Sequence, residues 1–438
     1  MKLPFRSLLF FAAILVIGCK DNSTNVEEPT DAVNISAEFE CVDGISNNRY
    51  ACNNVDLVAT VSPENLLAQP FGDEQALNDI WGWTDPATGI EYALVGLESG
   101  VAFVDLSTPS EPQLVGKLEE LESVSNRSGK TNRGAELLLE EKSPWRDFKV
   151  YKSYLYVVSD AQPHGMQVFD LTRLREVEDP PVMFREDHHY NEFGNAHNIA
   201  INNETGYGYI GGSDTYGGGL HIIDLQNPLD PQFAGFHSDS TVGYDSTGYV
   251  HDMQCVVYEG PDTDYQGDEI CMNSSENYLV IANVTDKEQT KTIAKSSYEN
   301  NGYVHQGWLT EDHRYFLLDD EFDEAQNGIT TQTYIWDVQD LDNPELIGVH
   351  EANTLSIDHN QYIKGNYSYQ ANYTAGLRIL SINNIANGAL EEVAYFDTFP
   401  DNNNQFFEGA WSNYPFFESG IVIVSNVKDG LFILHPTL

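Results

Sequence analysis

The sequence predicts an all-β fold, a seven-bladed β-propeller, and three observations predict it. Four histidines open short strand-like segments, His197-Asn198, His251-Asp252, His305-Gln306 and His359-Asn360, and successive members are 54 residues apart. A fixed period of that length marks one supersecondary unit copied and packed against its neighbours. The unit contains about four short strands and no helix long enough to cover a sheet, which is the grammar of a propeller blade. Composition agrees: aromatics make up 12% of the 438 residues, with 24 Tyr and 34 Gly, a mixture suited to many short strands and tight turns.

Seven copies can be laid out in order. The first runs from Asp79-Ile80-Trp81 through Tyr92 to Val95 and Gly100 to Leu106, ending at Pro112 to Gly116. The second contains Trp145 to Val150, Tyr154 to Val158 and Gly165 to Leu171. Between them, Glu119 to Lys142 reads as a polar insertion with a helical hint around Glu136 to Glu141. The third to sixth copies begin at the four histidines, and the seventh begins at Trp411. Apolar runs such as Leu220-His221-Ile222-Ile223 suit burial on both faces between neighbouring blades. The Asp that follows in several copies, Asp105, Asp170, Asp224 and Asp337, can accept backbone N–H groups in the next turn.

The last copy stops at Leu438 before any fourth strand, while Val55 to Val61 alternates like a strand and belongs to no copy. One gap fits one spare, so the N-terminal strand is expected to complete the last blade and close the ring. Closure removes exposed strand edges.

The N-terminus reads as an export signal. Lys2 and Arg6 precede an apolar run, Leu8 to Ile17, that is too short for a comfortable membrane span. The ending Val16-Ile17-Gly18-Cys19 has the form of a bacterial lipobox, in which cleavage leaves Cys19 to carry lipid. This divides the chain into a signal peptide over 1–18, a lipidated Cys and flexible tether over 19–40, and one propeller domain over 41–438. The expected address is the cell envelope, at the outer membrane, on its periplasmic or outward face. Cys41, Cys52, Cys255 and Cys271 remain, and export makes disulfides the expectation; of three possible pairings, sequence nearness favours Cys41–Cys52 with Cys255–Cys271.

A formal charge of −46, from 68 acidic and 22 basic residues, argues against sequence-independent binding to nucleic acid. The acidity reads as a solvated, soluble surface, with cation or Ca²⁺ binding as the sharper alternative. The glycine runs Gly211-Gly212 and Gly217-Gly218-Gly219 lack the strand-to-helix setting of a phosphate loop, so nucleotide binding is discounted. The chain contains no Gly-x-Ser-x-Gly elbow and no His-Glu-x-x-His pair.

Segments such as Val101-Ala102-Phe103-Val104-Asp105 and Leu220-His221-Ile222-Ile223-Asp224 resemble LVIVD-type repeats. Further distinctive stretches are Asp79 to Asp85, His305 to Asp312 leading to Tyr315 to Glu321, and Ala410 to Phe416. Together they make the chain, from Cys41 to Pro436, similar to the choice-of-anchor B family. That resemblance implies a surface or periplasmic β-propeller fixed by an anchor, here Cys19. It brings no established reaction and no catalytic residues.

The first strand of each blade lines a propeller's central channel. A ring of equivalent rim positions is therefore expected at Trp81, Trp145, His197, His251, His305, His359 and Trp411. Neutral imidazole is a common ligand for Zn, Cu, Fe or Ni, which makes the four histidines candidate metal ligands and Asp252 a direct or supporting one. The competing reading is a channel plug bonded to backbone and water. The acidic runs Asp319 to Glu324 and Asp262, Asp264, Asp268 and Glu269 offer carboxylates for Ca²⁺ without the EF-hand pattern, and read first as solvated surface. Tyr216, Tyr244, Phe406 and Phe407 are loop aromatics suited to stacking on a sugar or gripping a partner. Two functions follow: a lipid-anchored, non-catalytic module binding a protein or glycan on its rim, or a metal-dependent propeller hydrolase or lyase using the histidines.

Overall fold

Strand-forming runs of Val, Ile, Leu and Tyr alternate with Gly, Asn and Asp turns, and they fold into seven sheets of consecutive antiparallel strands. The computed structural model describes residues 37–69, 76–121 and 143–438. Cys19, the signal segment, most of the tether and the helical hint at Glu136 to Glu141 lie outside the described residues. The seven inner strands are Leu77–Thr84, Arg146–Tyr151, Asn198–Asn202, Asp252–Val257, Val304–Leu309, Gln361–Lys364 and Ala410–Tyr414. We number the blades 1 to 7 in that order; the protein is an all-β, seven-bladed propeller.

The outer strand of blade 7 is Val55–Val61, which pairs antiparallel with Gly430–Pro436, from Val55 opposite Pro436 to Val61 opposite Leu431. Its side chains Val55, Leu57 and Val58 are fully buried, each worth about 1.5–3 kcal/mol relative to exposure. Cys41 is bonded to Cys52, in a hairpin whose second strand pairs at Cys52 with Phe396 on the edge of blade 6. Cys255 and Cys271 face each other across the first two strands of blade 4 and are also bonded. Blade 1 gains a fifth strand, Val182–Phe184, which returns from blade 2 to pair parallel with Gln113–Glu119.

Local chemistry fixes the turns. Asp105, Asp170, Asp224 and Asp337 each accept the backbone N–H two residues on, at 2.7–3.0 Å. Gly100 opens the third strand of blade 1 at φ 134°, where an added Cβ would lie 1.9 Å from the carbonyl oxygen of Leu118, so no other residue fits.

Each blade interface is filled by its own apolar cluster, and they are unequal. Blades 7 and 1 meet through eighteen buried residues, including Val58, Leu77, Ile80, Phe417 and Ile433. Blades 5 and 6 meet through five: Leu317, Ile335, Ile363, Ile382 and Ile385. Polar pairs also cross that interface, with Gln361 Nε2 donating to Asp319 Oδ2 at 3.2 Å and Gln370 Nε2 to Thr333 Oγ1 at 2.9 Å. Such a network is worth having only if satisfied, and when satisfied it holds its members in one arrangement.

Candidate functional site

The inner strands present three successive rings of side chains to the channel. At blades 1 and 5 a β-bulge sets the register: Asn78 and Asp79 together oppose Gly96, and His305 and Gln306 oppose Asp319. Two neighbouring residues thereby point inward instead of alternating. The first ring is Asn78, Arg146, His197, His251, His305, His359 and Trp411. The second is Asp79, Asp147, Asn198, Asp252, Gln306, Asn360 and Ser412. Two residues later come Trp81, Lys149, Ala200, Gln254, Trp308, Tyr362 and Tyr414, most of them at the opposite mouth.

This corrects the expected rim at two places. Trp81 does not join the histidines; it lies at the far mouth, packed edge-on against Tyr414 at 5.0 Å and Tyr362 at 5.7 Å. Trp145 is at the right mouth but one residue early, 46% exposed, and Arg146 takes the ring position. The recurring polar residue of the second ring is the sequence signal that would have set the register. Trp411 is placed as expected, its ring 4.8 Å from His359.

At the histidine mouth the four imidazoles form a continuous stack, with centroids 4.4, 4.3 and 4.4 Å apart from His197 to His359. They border a void of about 30 Å³ with Trp145, Arg146 and Trp411, room for about one water or ion. Burial holds His251 and His305 well below the usual imidazole range and pushes His359 down to about 3. His197 differs: burial works to lower it, but Asp160, 2.7 Å from Nδ1, raises it above the ordinary value. The four do not converge on one point. His305 and His359 do so with a residue the histidine spacing missed, Glu321, whose carboxylate oxygens lie 3.9 and 3.5 Å from their Nε2 atoms. His197 and His251 stand outside that cluster. Burial raises Glu321 to about 7.

Asp252 is not beside the histidine nitrogens. It points into the second ring, where it accepts from Asn198 Nδ2 at 2.9 Å, and burial raises it to about 7. From the third ring Lys149 reaches back to the second, its Nζ 2.5 Å from Asp147 and 3.3 Å from Asp79. Burial would depress the ammonium, but the two carboxylates hold it well above its ordinary value. Burial also raises Asp79, whereas Lys149 overcomes it at Asp147 and holds that carboxyl low.

At the opposite mouth, Trp81, Trp308, Tyr362 and Phe416 line a cavity of about 390 Å³, with ring centroids 5.0–6.3 Å apart. The Lys149 ammonium lies 4.8 Å from the centre of Trp81, within cation–π range. Gln254, Asn203, Glu204, Glu259 and His313 supply polar groups on the wall.

The acidic runs also sort differently from their sequence reading. Asp319, Asp320, Asp323 and Glu324 are buried rather than solvated. Asp262 groups with Asp340 and Asp342 on an exposed patch, while Glu269 is buried against Lys287 at 2.6 Å. Among the loop aromatics, Tyr216 stacks on Phe236 at 4.3 Å; Tyr244, Phe406 and Phe407 are about half exposed. Tyr244 and Phe407 reach the histidine mouth through Tyr303 and Tyr373.

Comparison with known proteins agrees with this architecture. The family model for the LVIVD repeat matches residues 91–119, the second to fourth strands of blade 1. No curated protein matches the chain. Among solved structures, Kuenenia stuttgartiensis hydrazine synthase aligns at TM-score 0.52 and 12% identity, over 82% of this chain and 96% of that one. A Lactobacillus plantarum protein aligns at 0.50 and 13%, over 75% and 85%. The β-propeller domain of Myceliophteria thermophila Cps50 (Swd1) gives 0.49 and 12%, over 79% and 94%. At such identities the first two likenesses extend to the fold alone, and the third, below 0.5, adds nothing to them. Seven blades in chain order make this chain a β-propeller, and the second to fourth strands of its blade 1 match the LVIVD repeat.

Proposed function

We propose that the protein is an exported, lipid-anchored propeller of the bacterial cell envelope that binds a neutral glycan, without catalysis, at the aromatic mouth. The observation that carries this reading is the cavity formed by Trp81, Trp308, Tyr362 and Phe416. Flat aromatic faces suit the C–H faces of sugar rings, and Gln254, Asn203 and the wall carboxylates suit their hydroxyls. Glu204 and Glu259, on a chain of charge −46, select against acidic sugars. What supports the anchor is the sequence Val16-Ile17-Gly18-Cys19.

Calorimetry of the purified protein against a panel of neutral oligosaccharides tests the binding. At least one is expected to bind, and Trp308→Ala to weaken it roughly ten-fold, the size of one lost stacking contact. Failure of the whole panel, or binding indifferent to both Trp308→Ala and Phe416→Ala, overturns it. The anchor has its own check: labelled fatty acid incorporated by the wild-type chain in cells and lost in Cys19→Ala. A second reading, a metal-dependent propeller enzyme, is favoured by one observation, the convergence of His305, Glu321 and His359 at the other mouth.

A further inference from the structure

The imidazoles of the histidine mouth are held in one orientation. His251 Nδ1 lies 3.0 Å from the carbonyl oxygen of His305, and His359 Nδ1 lies 2.5 Å from that of Trp411. His305 Nδ1 faces Asp319 Oδ1 at 3.1 Å, an oxygen that also accepts the Gln306 N–H. His197 Nδ1 faces Asp160. Carbonyl oxygens only accept, so at His251 and His359 the ring proton sits on Nδ1 and the Nε2 lone pair is turned inward, while at His305 and His197 a carboxyl oxygen stands behind Nδ1. Oxygen acceptors behind Nδ1 are the arrangement that fixes the tautomer of a metal-binding histidine.

Nε2 of His305 and of His359 face the two carboxyl oxygens of Glu321, at 3.9 and 3.5 Å. These separations are long for hydrogen bonds. They suit neighbouring ligands on one ion: bonds of about 2.0–2.1 Å in tetrahedral geometry place ligand atoms about 3.3 Å apart. The supporting groups are in place. Tyr373 donates to Glu321 Oε1 at 2.9 Å, and Asp319, which steadies His305, is tied across the blade boundary by Gln361. The triad therefore sits on the polar interface between blades 5 and 6, the one with the smallest apolar cluster among the described residues.

We propose that His305 Nε2, His359 Nε2 and the Glu321 carboxylate bind one divalent first-row transition ion of the Zn²⁺ type, with its fourth position open to the channel mouth. Two nitrogens and one carboxylate with an open position are the ligand set of an exchangeable, Lewis-acidic centre rather than a closed structural one. Hard ions such as Ca²⁺, which need six or more oxygens, are excluded by the same set. The site stands apart from the aromatic cavity, so failure of the glycan reading leaves it untouched, and the reverse.

The test is titration of the purified full chain, stripped with a chelator, with Zn²⁺, and with Co²⁺ for its visible spectrum. One Zn²⁺ per chain is expected, with a four-coordinate Co²⁺ band that Zn²⁺ abolishes and excess Ca²⁺ does not. His359→Ala and Glu321→Gln should each weaken Zn²⁺ at least 100-fold, more than outer-shell changes do, while Asp340→Asn in the exposed acidic patch changes nothing. Circular dichroism reports folding of each variant. If His359→Ala does not fold, Glu321→Gln, of the same shape, decides alone. Sub-stoichiometric binding by the wild-type chain, or Zn²⁺ affinity unchanged in Glu321→Gln, overturns the proposal.

Discussion

The two ends of the channel are built by the same seven strands, a few residues apart, yet they neutralise buried charge in opposite ways. Toward the aromatic mouth, two carboxyl groups, Asp79 and Asp147, share a buried ammonium, Lys149, which also lies over the ring of Trp81. Toward the histidine mouth, the acids of blades 5 and 6 outnumber the cations. Asp319, Asp320, Asp323, Glu324 and Asp358 are all nearly or fully buried, and burial raises each of them. Neither oxygen of Asp358 has a hydrogen-bond partner. One end sets a cation among its carboxyls, and at the other burial pushes the carboxyls toward keeping their protons. A carboxyl group that must keep a proton, or find a metal, is a group that responds to conditions, so the two ends should differ most under perturbation.

The largest effect is expected where the charge balance is struck by a single residue. Lys149→Met removes the ammonium and leaves Asp147 as an unpaired buried carboxylate, at a cost of about 3–5 kcal/mol. Lys149→Met with Asp147→Asn should recover most of that loss, because the second change removes the stranded charge. Urea denaturation of the three proteins measures both. A single variant as stable as wild type would break the comparison, since it would mean that protons alone suffice at this end too.

The contrast between the ends also explains what could be read from the chain. Repeat number and blade order were legible because burial between sheets forces the same apolar runs, such as Ala93 to Val95 and Ile433 to Leu434, at every copy. The histidine ring was legible at four blades, where the residue type recurs. It was misread at Trp81, where the bulge at Asn78 and Asp79 shifts the register of blade 1, and at Trp145, which precedes the regular inner strand of blade 2 by one residue. Glu321 was hidden inside an acidic run that reads as a solvated surface. What buries that run is the neighbouring blade, a contact between residues as far apart as Glu324 and Gln405, and no local pattern encodes it. The aromatic cavity was missed for a similar reason: Trp81, Trp308, Tyr362 and Phe416 come from four blades and share only their depth in the channel.

A pH-dependent effect should sharpen the contrast at the protonated end. Burial, followed by the neighbouring Asp323, raises Glu324 to about 10, and Asp320 adds to the shift. Asp323 is bonded to Tyr334, Asp320 to Tyr298, and Asp358 faces the same group of acids. An unfolded Glu releases its proton near pH 4.3. Between that pH and about 10 the native state therefore holds a proton that the unfolded chain has given up, so stability falls as pH rises through the window. Glu324→Gln removes the titration while keeping the shape. It should leave stability within about 1 kcal/mol of wild type at pH 5 and raise it by up to about 5 kcal/mol at pH 8, read from urea midpoints at the two pH values. Asp147→Asn with Lys149→Met, at the paired end, should show no such rise with pH. If Glu324→Gln instead destabilises the chain equally at both pH values, its carboxyl is ionised against a cation, and the two ends neutralise charge in the same way after all.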